Sequence, residues 1–447
     1  MDKIYLYDTW EGKKREFVPL AKDSCDIYYC GPTVYNYVHL GNFRPTITFD
    51  VLSRFLTEEG YKVRLVSNYT DIDDKIINEA KKEGKTEKEL SQFYIHAYEE
   101  CLTKLNILPL YSHPLASDYI YKMADFIKVM LDNKTAYRSG TDTYFLIDSD
   151  PSYGSLSKEN IEALEAGARI DVKSTKRNPL DFALWKVTDD DGIKFDTPLG
   201  KGRPGWHTEC VVMVNSVFGK DLIDIHGGGF DLKFPHHENE IAQSMAVHKT
   251  RLANYWMHVG FLLTNGVKMS KSLGNSILAK DVLSRHSANA IRLFFESTYY
   301  RAPVNYTEEN LTVNDQKDLR YRTALRKTSL LLQKEGVKAG EIDQKDYKEA
   351  MLALADDLNC GNAIAVLDRE LKEMNSLSSQ KDGDRTRLSS LLATFLKISS
   401  VLGLSYPLPV LSIEDRKDLE DYEESRKNKD YQKSDEIRKK LIGKGIL

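Results

Sequence analysis

Cysteine is scarce in this 447-residue chain, five residues in all and an odd number. So few thiols exclude a disulfide-stapled secreted scaffold. They suit a reducing compartment, where thiols stay free or bind metal. No apolar run approaches the length of a bilayer span. Residues 1–10 mix polar and aromatic side chains, without the apolar core of a signal peptide. The expected compartment is therefore the cytoplasm, and no membrane partner is expected. Charge of one sign is not in excess either: 63 basic residues stand against 67 acidic ones. No global basic field marks a phosphate-binding protein, so any nucleic acid must be held by locally placed cations. Arg320, Arg322, Arg326 and Lys327, without an acid among them, are one such group; a solvated helix face explains them equally well. Low-complexity tracts and long repeats are also missing. With 41% hydrophobic residues the chain can fill its cores, and its length calls for several domains.

What is present begins with alternation. Asp26-Ile27-Tyr28-Tyr29-Cys30 reads as a strand and 46–59 as a helix stopped by Gly60. Residues 63–66 read as a buried parallel strand, and 73–82 and 87–105 as helices. Between strand and helix lies His39-Leu40-Gly41-Asn42. A loop at the C-terminal end of a strand, feeding a helix, is where α/β folds hold phosphates. Far away, Lys268-Met269-Ser270-Lys271-Ser272 offers two lysines among small polar residues, a loop able to bring positive charge to a triphosphate. Residues 118–199 break the alternation, with a helix at 119–133, one strand at 143–147 and a loop-rich remainder. Helical periodicity dominates the last third, at 316–335, 346–357, 361–375, 385–402, 413–428 and 432–442. Tyr406-Pro407-Leu408-Pro409 reads as a linker.

With these motifs the chain resembles the class I aminoacyl-tRNA synthetases, and among them the cysteinyl-tRNA synthetases. The resemblance rests on Tyr29-Cys30-Gly31-Pro32-Thr33-Val34-Tyr35, on His39 to Asn42 and on Asn68-Tyr69-Thr70-Asp71-Ile72-Asp73-Asp74-Lys75. It extends through Gly205-Trp206-His207-Thr208-Glu209-Cys210, Asp224-Ile225-His226-Gly227-Gly228-Gly229 and Phe234-Pro235-His236-His237-Glu238-Asn239-Glu240 to the lysine motif. It implies an α/β fold: a Rossmann-type parallel-sheet catalytic domain split by a connective-peptide insertion, followed by an α-helical anticodon-binding domain. The expected divisions are 1–117 and 200–247 for the two catalytic halves and 118–199 for the insertion. They continue with 248–305 for a stem-contact segment, 306–402 for the anticodon-binding helices and 403–447 for a short helical end.

The resemblance further implies ligation of L-cysteine to tRNA(Cys) with ATP and Mg2+, through a cysteinyl-adenylate, by a monomer. His39, Asn42, Lys268 and Lys271 would act on the phosphates, with Met269, Ser270 and Ser272 completing the nucleotide loop. Gly31, Thr70, Trp206, His226 and Asp231 would form the amino-acid pocket. Cys30, Cys210, His236 and Glu240 would hold one zinc ion. The residues support that set in part. His236 and Glu240, four apart, share one face of a helix, and two thiolates, an imidazole and a carboxylate suit zinc. Packing is the alternative for lone cysteines 180 residues apart, as it is for Trp206. His237, beside a ligand, is read as a supporting residue. Serine differs from cysteine by one atom, so shape discriminates poorly; zinc, being thiophilic, would select the thiolate. Asn42 stands where the family carries a second histidine, and can donate a hydrogen bond but not become cationic. Relatives are expected to continue past Leu447 into an aromatic-containing tail, which would shift tRNA recognition here toward stem and acceptor contacts. A related alternative is a zinc-dependent ligase joining cysteine to a small amine, as in mycothiol synthesis.

Overall fold

The protein is described by a computed structural model over residues 2–158, 176–269 and 274–446. Ser270, Lys271 and Ser272 lie outside the described residues. The hairpin β1 (Tyr5–Asp8) and β2 (Lys13–Glu16) opens the chain. Strand β3 (Ser24–Tyr29) runs through a short turn, Leu40–Asn42, into the helix Phe43–Glu58, which returns to β4 (Lys62–Ser67), parallel to β3. The 118–199 region carries more strand than the single one expected. Here β5 (Ala136–Ser139), β6 (Asp142–Phe145), β7 (Ala183–Val187) and β8 (Gly202–Pro204) form a wholly antiparallel sheet. These strands have three to five residues, too short for an alternating pattern to stand out among Gly, Pro and Asp.

Strands β9 (Ile223–Gly229) and β10 (Ala253–Val259) then rejoin the first pair, giving a parallel sheet in the order β10-β9-β3-β4. Side chains alternate across it. Ile27, Tyr29 and Leu65 enter one core, with Ile47, Val51 and Phe55 of the helix Phe43–Glu58. Tyr28 and Val66 enter the other, with Cys210, Met213 and Val214 of the helix Trp206–Phe218. Burial on both faces is the mark of a parallel sheet covered by helices. The chain leaves β3 toward β4 on one side and later fills β9 on the other. The crevice at the C-terminal ends of β3 and β9 is thus a topological switch point, where open α/β sheets bind ligands.

A small sheet of β11 (Leu262–Thr264), β12 (Val267–Lys268) and β13 (Val304–Tyr306) follows. The helices Glu308–Lys334, Gln344–Ala355, Cys360–Ser379 and Arg385–Val401 come next. The first starts earlier than its apolar period suggests, because Thr307 caps it, accepting from Asn310 N–H at 3.1 Å, and Glu308 and Glu309 occupy its first turn. A final pair, Ile413–Lys427 and Tyr431–Gly443, closes on its own core of Leu411, Leu419, Leu441 and Ile446. The arginine group is partly committed to this end of the chain. Arg326 donates to the Ile446 carbonyl at 3.1 Å and to that of Gly445, and Arg322 pairs with Asp318. Exposed Arg320 and Lys327 remain the outward cations of that stretch.

Candidate active site and metal centre

A cleft of about 820 Å3 opens over the ends of β3 and β9. Its wall includes Cys30, Gly31, His39, Gly41, Asn42, Trp206, Asp231, Lys268 and Met269. The two motifs separated by more than two hundred residues therefore face one space. Local geometry explains the glycine after Cys30. A Cβ on Gly31 would lie 1.7 Å from the Asn68 carbonyl oxygen, so only glycine lets the chain cross here. The Gly31 N–H donates to Asn68 Oδ1 at 2.9 Å. Asn42 Oδ1 accepts from the His39 N–H at 3.0 Å, which leaves the Asn42 amide NH2 as the group it offers the cleft. Lys268 Nζ sits 4.1 Å from the centre of the Phe261 ring. Phe261 is in turn fixed by Arg44, whose buried guanidinium donates to the carbonyls of Gly260 at 2.8 Å and Phe261 at 3.0 Å, and to those of Tyr299 and Ala302.

Cys30 directly follows β3, and Cys210 lies on the helix Trp206–Phe218. His236 belongs to the turn Lys233–His237 that runs into the helix Glu238–His248 carrying Glu240. One donor atom from each lies within 4.8 Å of every other. Cys30 Sγ is 3.6 Å from Cys210 Sγ and 3.7 Å from Glu240 Oε1, and Cys210 Sγ is 3.6 Å from His236 Nε2. Zinc bonds of about 2.0–2.3 Å at the tetrahedral angle separate ligands by about 3.3–3.8 Å, and these three distances fit. His236 Nε2 and Glu240 Oε1 are closer, at 2.9 Å, as a hydrogen bond.

Electrostatics divides the four donors. Burial pushes the Cys30 thiol well up, and His236, which burial alone would lower, is raised to about 10 by Glu240 and Cys210, so both would give up a proton to bind metal. Cys210 and Glu240, by contrast, are held in their ligating forms. The hydrogen bond from Cys30 holds the Cys210 thiol down at about 6, with His236 helping. Burial pushes the Glu240 carboxyl up, but His226 and His236 hold it well below the usual range. Donor atoms of Cys30, His226, His237 and Glu240 also lie within 4.8 Å of one another. That set has one thiolate, with His237 Nε2 at 3.3 Å from Cys30 Sγ and its Nδ1 at 2.8 Å from His258 Nε2, and with His226 Nε2 at 2.6 Å from Glu240 Oε2. Two soft donors make the first set the better zinc site.

Not every expected pocket residue reaches the cleft. Thr70 is buried, its hydroxyl donating to Glu209 Oε2 at 3.0 Å. His226 is buried behind Glu240. Trp206 is no core residue: 41% exposed, it lines the cleft and stacks on His236 at 4.2 Å between ring centres. Two supporting histidines carry no role in the sequence reading. His207 Nδ1 meets His236 Nδ1 at 3.0 Å, which turns His236 Nε2 toward the thiols, and burial holds His207 near 3, neutral. His258 links His237 to Thr9. His207 sits inside a quoted motif, but its partner is set only by the tertiary fold.

Comparison with known proteins bears directly on this arrangement. Residues 16–316 match the family described as the tRNA synthetases class I (C) catalytic domain, and 349–406 match the DALR domain. The cysteine–tRNA ligase of Halalkalibacterium halodurans is 40% identical over 99% of this chain and 97% of its own length. The chain belongs to the cysteine–tRNA ligase family. Its relative from Finegoldia magna, also named a cysteine–tRNA ligase, is 42% identical over 99% of this chain and 96% of that protein. Among solved structures, a Mycobacterium tuberculosis methionyl-tRNA synthetase in complex with methionyl-adenylate superposes with a TM-score of 0.63. It covers 85% of this chain and 90% of that one at 13% identity, a likeness of fold. Within the family fold, β3 and the helix Trp206–Phe218 bring the thiols beside the cleft that His39, Asn42 and Lys268 line. Among the described residues no helix is long and apolar enough to cross a membrane.

Proposed function

We propose that this chain ligates L-cysteine to tRNA(Cys) with ATP as the energy source and Mg2+ as its counterion, through a cysteinyl-adenylate. The observation that carries the reading is one cleft lined by residues of both phosphate motifs and by Cys30, the edge of a buried sulfur-rich donor set. The donor set of Cys30, Cys210, His236 and Glu240 fits one zinc ion. When bound, zinc supplies a thiophilic Lewis acid that favours a deprotonated thiol over an alcohol. The chain's own residues do the rest. Trp206, Gly31 and Asp231 bound the space where the amino acid lies. His39 and the Asn42 amide, just before the helix Phe43–Glu58, orient the α-phosphate for in-line attack by the cysteine carboxylate. Lys268, and Lys271 by its place in the motif, meet charge that grows on the departing pyrophosphate, which is where a positioned cation lowers the barrier. A terminal ribose hydroxyl of the tRNA then attacks the adenylate carbonyl.

The small-amine alternative is disfavoured. Relatives named for tRNA ligation align along the whole chain, its C-terminal helices included. Cysteine-dependent pyrophosphate exchange followed by aminoacylation of tRNA(Cys) tests the reading. Exchange without charging of tRNA, but with ligation to a small amine, would overturn it.

A further inference from the structure

Arg44 stands two residues after Asn42, in the first turn of the helix Phe43–Glu58. Asn42 and Pro45 line the cleft, whereas Arg44 is 1% exposed. A cation at this position is costly twice: burial strips its water, and the first turn carries the positive end of the helix dipole. Burial lowers the guanidinium to about 10, so it is still charged at neutral pH. Among the described residues it pairs with no carboxylate, and its acceptors are four backbone carbonyls. Those of Gly260 at 2.8 Å and Phe261 at 3.0 Å lie just before β11. Those of Tyr299 at 3.2 Å and Ala302 at 2.5 Å lie just before β13. The two stretches are the roots of one small sheet. Within it β11 pairs with β13, Leu262 opposite Val304, and with β12, Leu263 opposite Lys268. The Val304 N–H donates to the Phe261 carbonyl at 3.0 Å, and the Met269 N–H to that of Leu262 at 2.9 Å. Gly260 lets the roots meet. A Cβ there would lie 2.5 Å from the Ala302 carbonyl oxygen, so a larger residue would push them apart.

Lys268 is therefore carried on a sheet whose two roots are gripped from the helix that follows the His39–Asn42 turn. A guanidinium suits that task, because its five N–H donors form a rigid planar fork that can hold several carbonyls at fixed angles. We propose that Arg44 is a positioning residue for adenylate formation: it sets the separation between the His39–Asn42 turn and Lys268, so that both meet one triphosphate. The proposal rests on the ligase reading above and adds the device that keeps its two phosphate motifs in register. The site of the clamp argues for this role over a general stabilising one. Its carbonyls come only from the stretches that lead into the sheet of Lys268, and its arginine comes from the first turn after the other motif.

The test is a double-mutant cycle on single-turnover adenylate formation, with wild type, Arg44→Lys, Lys268→Ala and the double variant. Arg44→Lys keeps the charge and loses the fork. It should slow the step about tenfold at saturating ATP and cysteine, the effect of a small misplacement of a charge-stabilising group. The KM for cysteine should stay within about twofold of wild type, since the clamp does not touch the amino-acid side. Lys268→Ala alone should slow the step about a hundredfold. If Arg44 works through Lys268, the double variant should lie within about threefold of Lys268→Ala, whereas independent losses would multiply to about a thousandfold. A larger gap than threefold, or a cysteine KM that rises along with the loss of rate, would show support of the cleft as a whole and overturn the assignment. So would an unchanged rate in Arg44→Lys. Should Arg44→Lys fail to fold, Gly260→Ala keeps the arginine and separates the two roots, and the same cycle with the same expected ratios decides. A wild type that exchanges no pyrophosphate with cysteine would instead sink the ligase reading, a result distinct from all of these.

Discussion

His226 Nε2 lies 2.6 Å from Glu240 Oε2, and the other oxygen of the same carboxylate lies 2.9 Å from His236 Nε2. All three side chains are buried. A carboxylate held from two sides cannot rotate, so Glu240 Oε1 stays directed at Cys30 and Cys210. His226 is thus placed to orient Glu240 in the proposed zinc site. Loss of such a partner typically weakens metal binding about 10–100-fold. His226→Asn should show a zinc affinity lower by that factor in competition with a chromophoric chelator. Zinc affinity equal to wild type would show that Glu240 is oriented without His226.

The donor set itself makes a stricter demand. Cys210→Ser exchanges a soft thiolate for a hydroxyl in a four-residue site, and a serine hydroxyl does not deprotonate near neutral pH. The purified variant should contain far less than one zinc per chain by elemental analysis. It should also lose cysteine-dependent pyrophosphate exchange. Full exchange activity in a zinc-free variant would separate the metal from substrate selection.

Lys268 should matter to the chemical step and not to amino-acid binding. It lines the cleft against Phe261, and in the proposed reaction it meets the phosphates while Trp206 bounds the amino acid. Removing one charge-stabilising contact of this kind costs about 3 kcal/mol, or about a hundredfold in rate. Single-turnover adenylate formation by Lys268→Ala should slow by that order at saturating cysteine. A collapse of cysteine affinity at an unchanged rate would place the lysine wrongly.

The residues that mark this site stand at strand ends, and that is why they were legible. Cys30, Gly31 and His39 follow one strand, and His226 and Asp231 lie on or just after another, so motif order alone placed them near a common crevice. The helices of the last third were legible because their apolar period runs over several turns. Less visible were features that depend on partners distant in sequence. His207 gains its role only when the turn Lys233–His237 brings His236 to it. Arg326 reads as a phosphate contact until the end of the chain folds back to it. Of the insertion sheet only the strand at 143–147 is legible, because the other strands are too short to show a period. Thr70 and His226 are polar residues beside a cleft in sequence, yet the fold turns them inward to Glu209 and Glu240.

Glu296 supplies a pH dependence of stability. Burial pushes its carboxyl up to about 8, against which Arg292 pulls down, and Asp50 adds to the rise. Arg54, Cys360 and Tyr406 are the other titratable groups coupled to it. An unfolded glutamate titrates near 4.5. Between those values the folded chain binds more protons than the unfolded one, so stability falls as pH rises through that window. Denaturant midpoints at about pH 6 and about pH 8.5 should differ in wild type, and Glu296→Gln should reduce the difference. An undiminished fall in the variant would assign the dependence to other groups.

The same buried cluster joins the helix Phe43–Glu58 of the catalytic domain to the C-terminal helices. Arg292 donates to Asp50 at 2.7 Å, to the Leu105 carbonyl at 3.1 Å and to the Leu402 carbonyl at 3.0 Å. Arg54 adds a bond to Asp50 at 2.9 Å and one to the Ser400 carbonyl at 3.1 Å, and Asn106 reaches the Gly403 carbonyl at 2.8 Å. These bonds hold the end of the helix Arg385–Val401 against the catalytic domain. A tRNA that touches both must find them at a fixed spacing, whereas adenylate formation needs only the catalytic cleft. Arg54→Met removes one strut, keeps the apolar stem and leaves Asp50 paired with Arg292. Loss of a charge-assisted contact of this kind is worth about 1.5–3 kcal/mol at most. The variant should keep pyrophosphate exchange within about twofold while kcat/KM for tRNA in aminoacylation falls roughly five- to tenfold, since only a part of that energy concerns domain seating. Equal losses in both assays would mean that Arg54 supports the catalytic domain itself, and no loss in either would mean that Arg292 and Asn106 hold the joint without it.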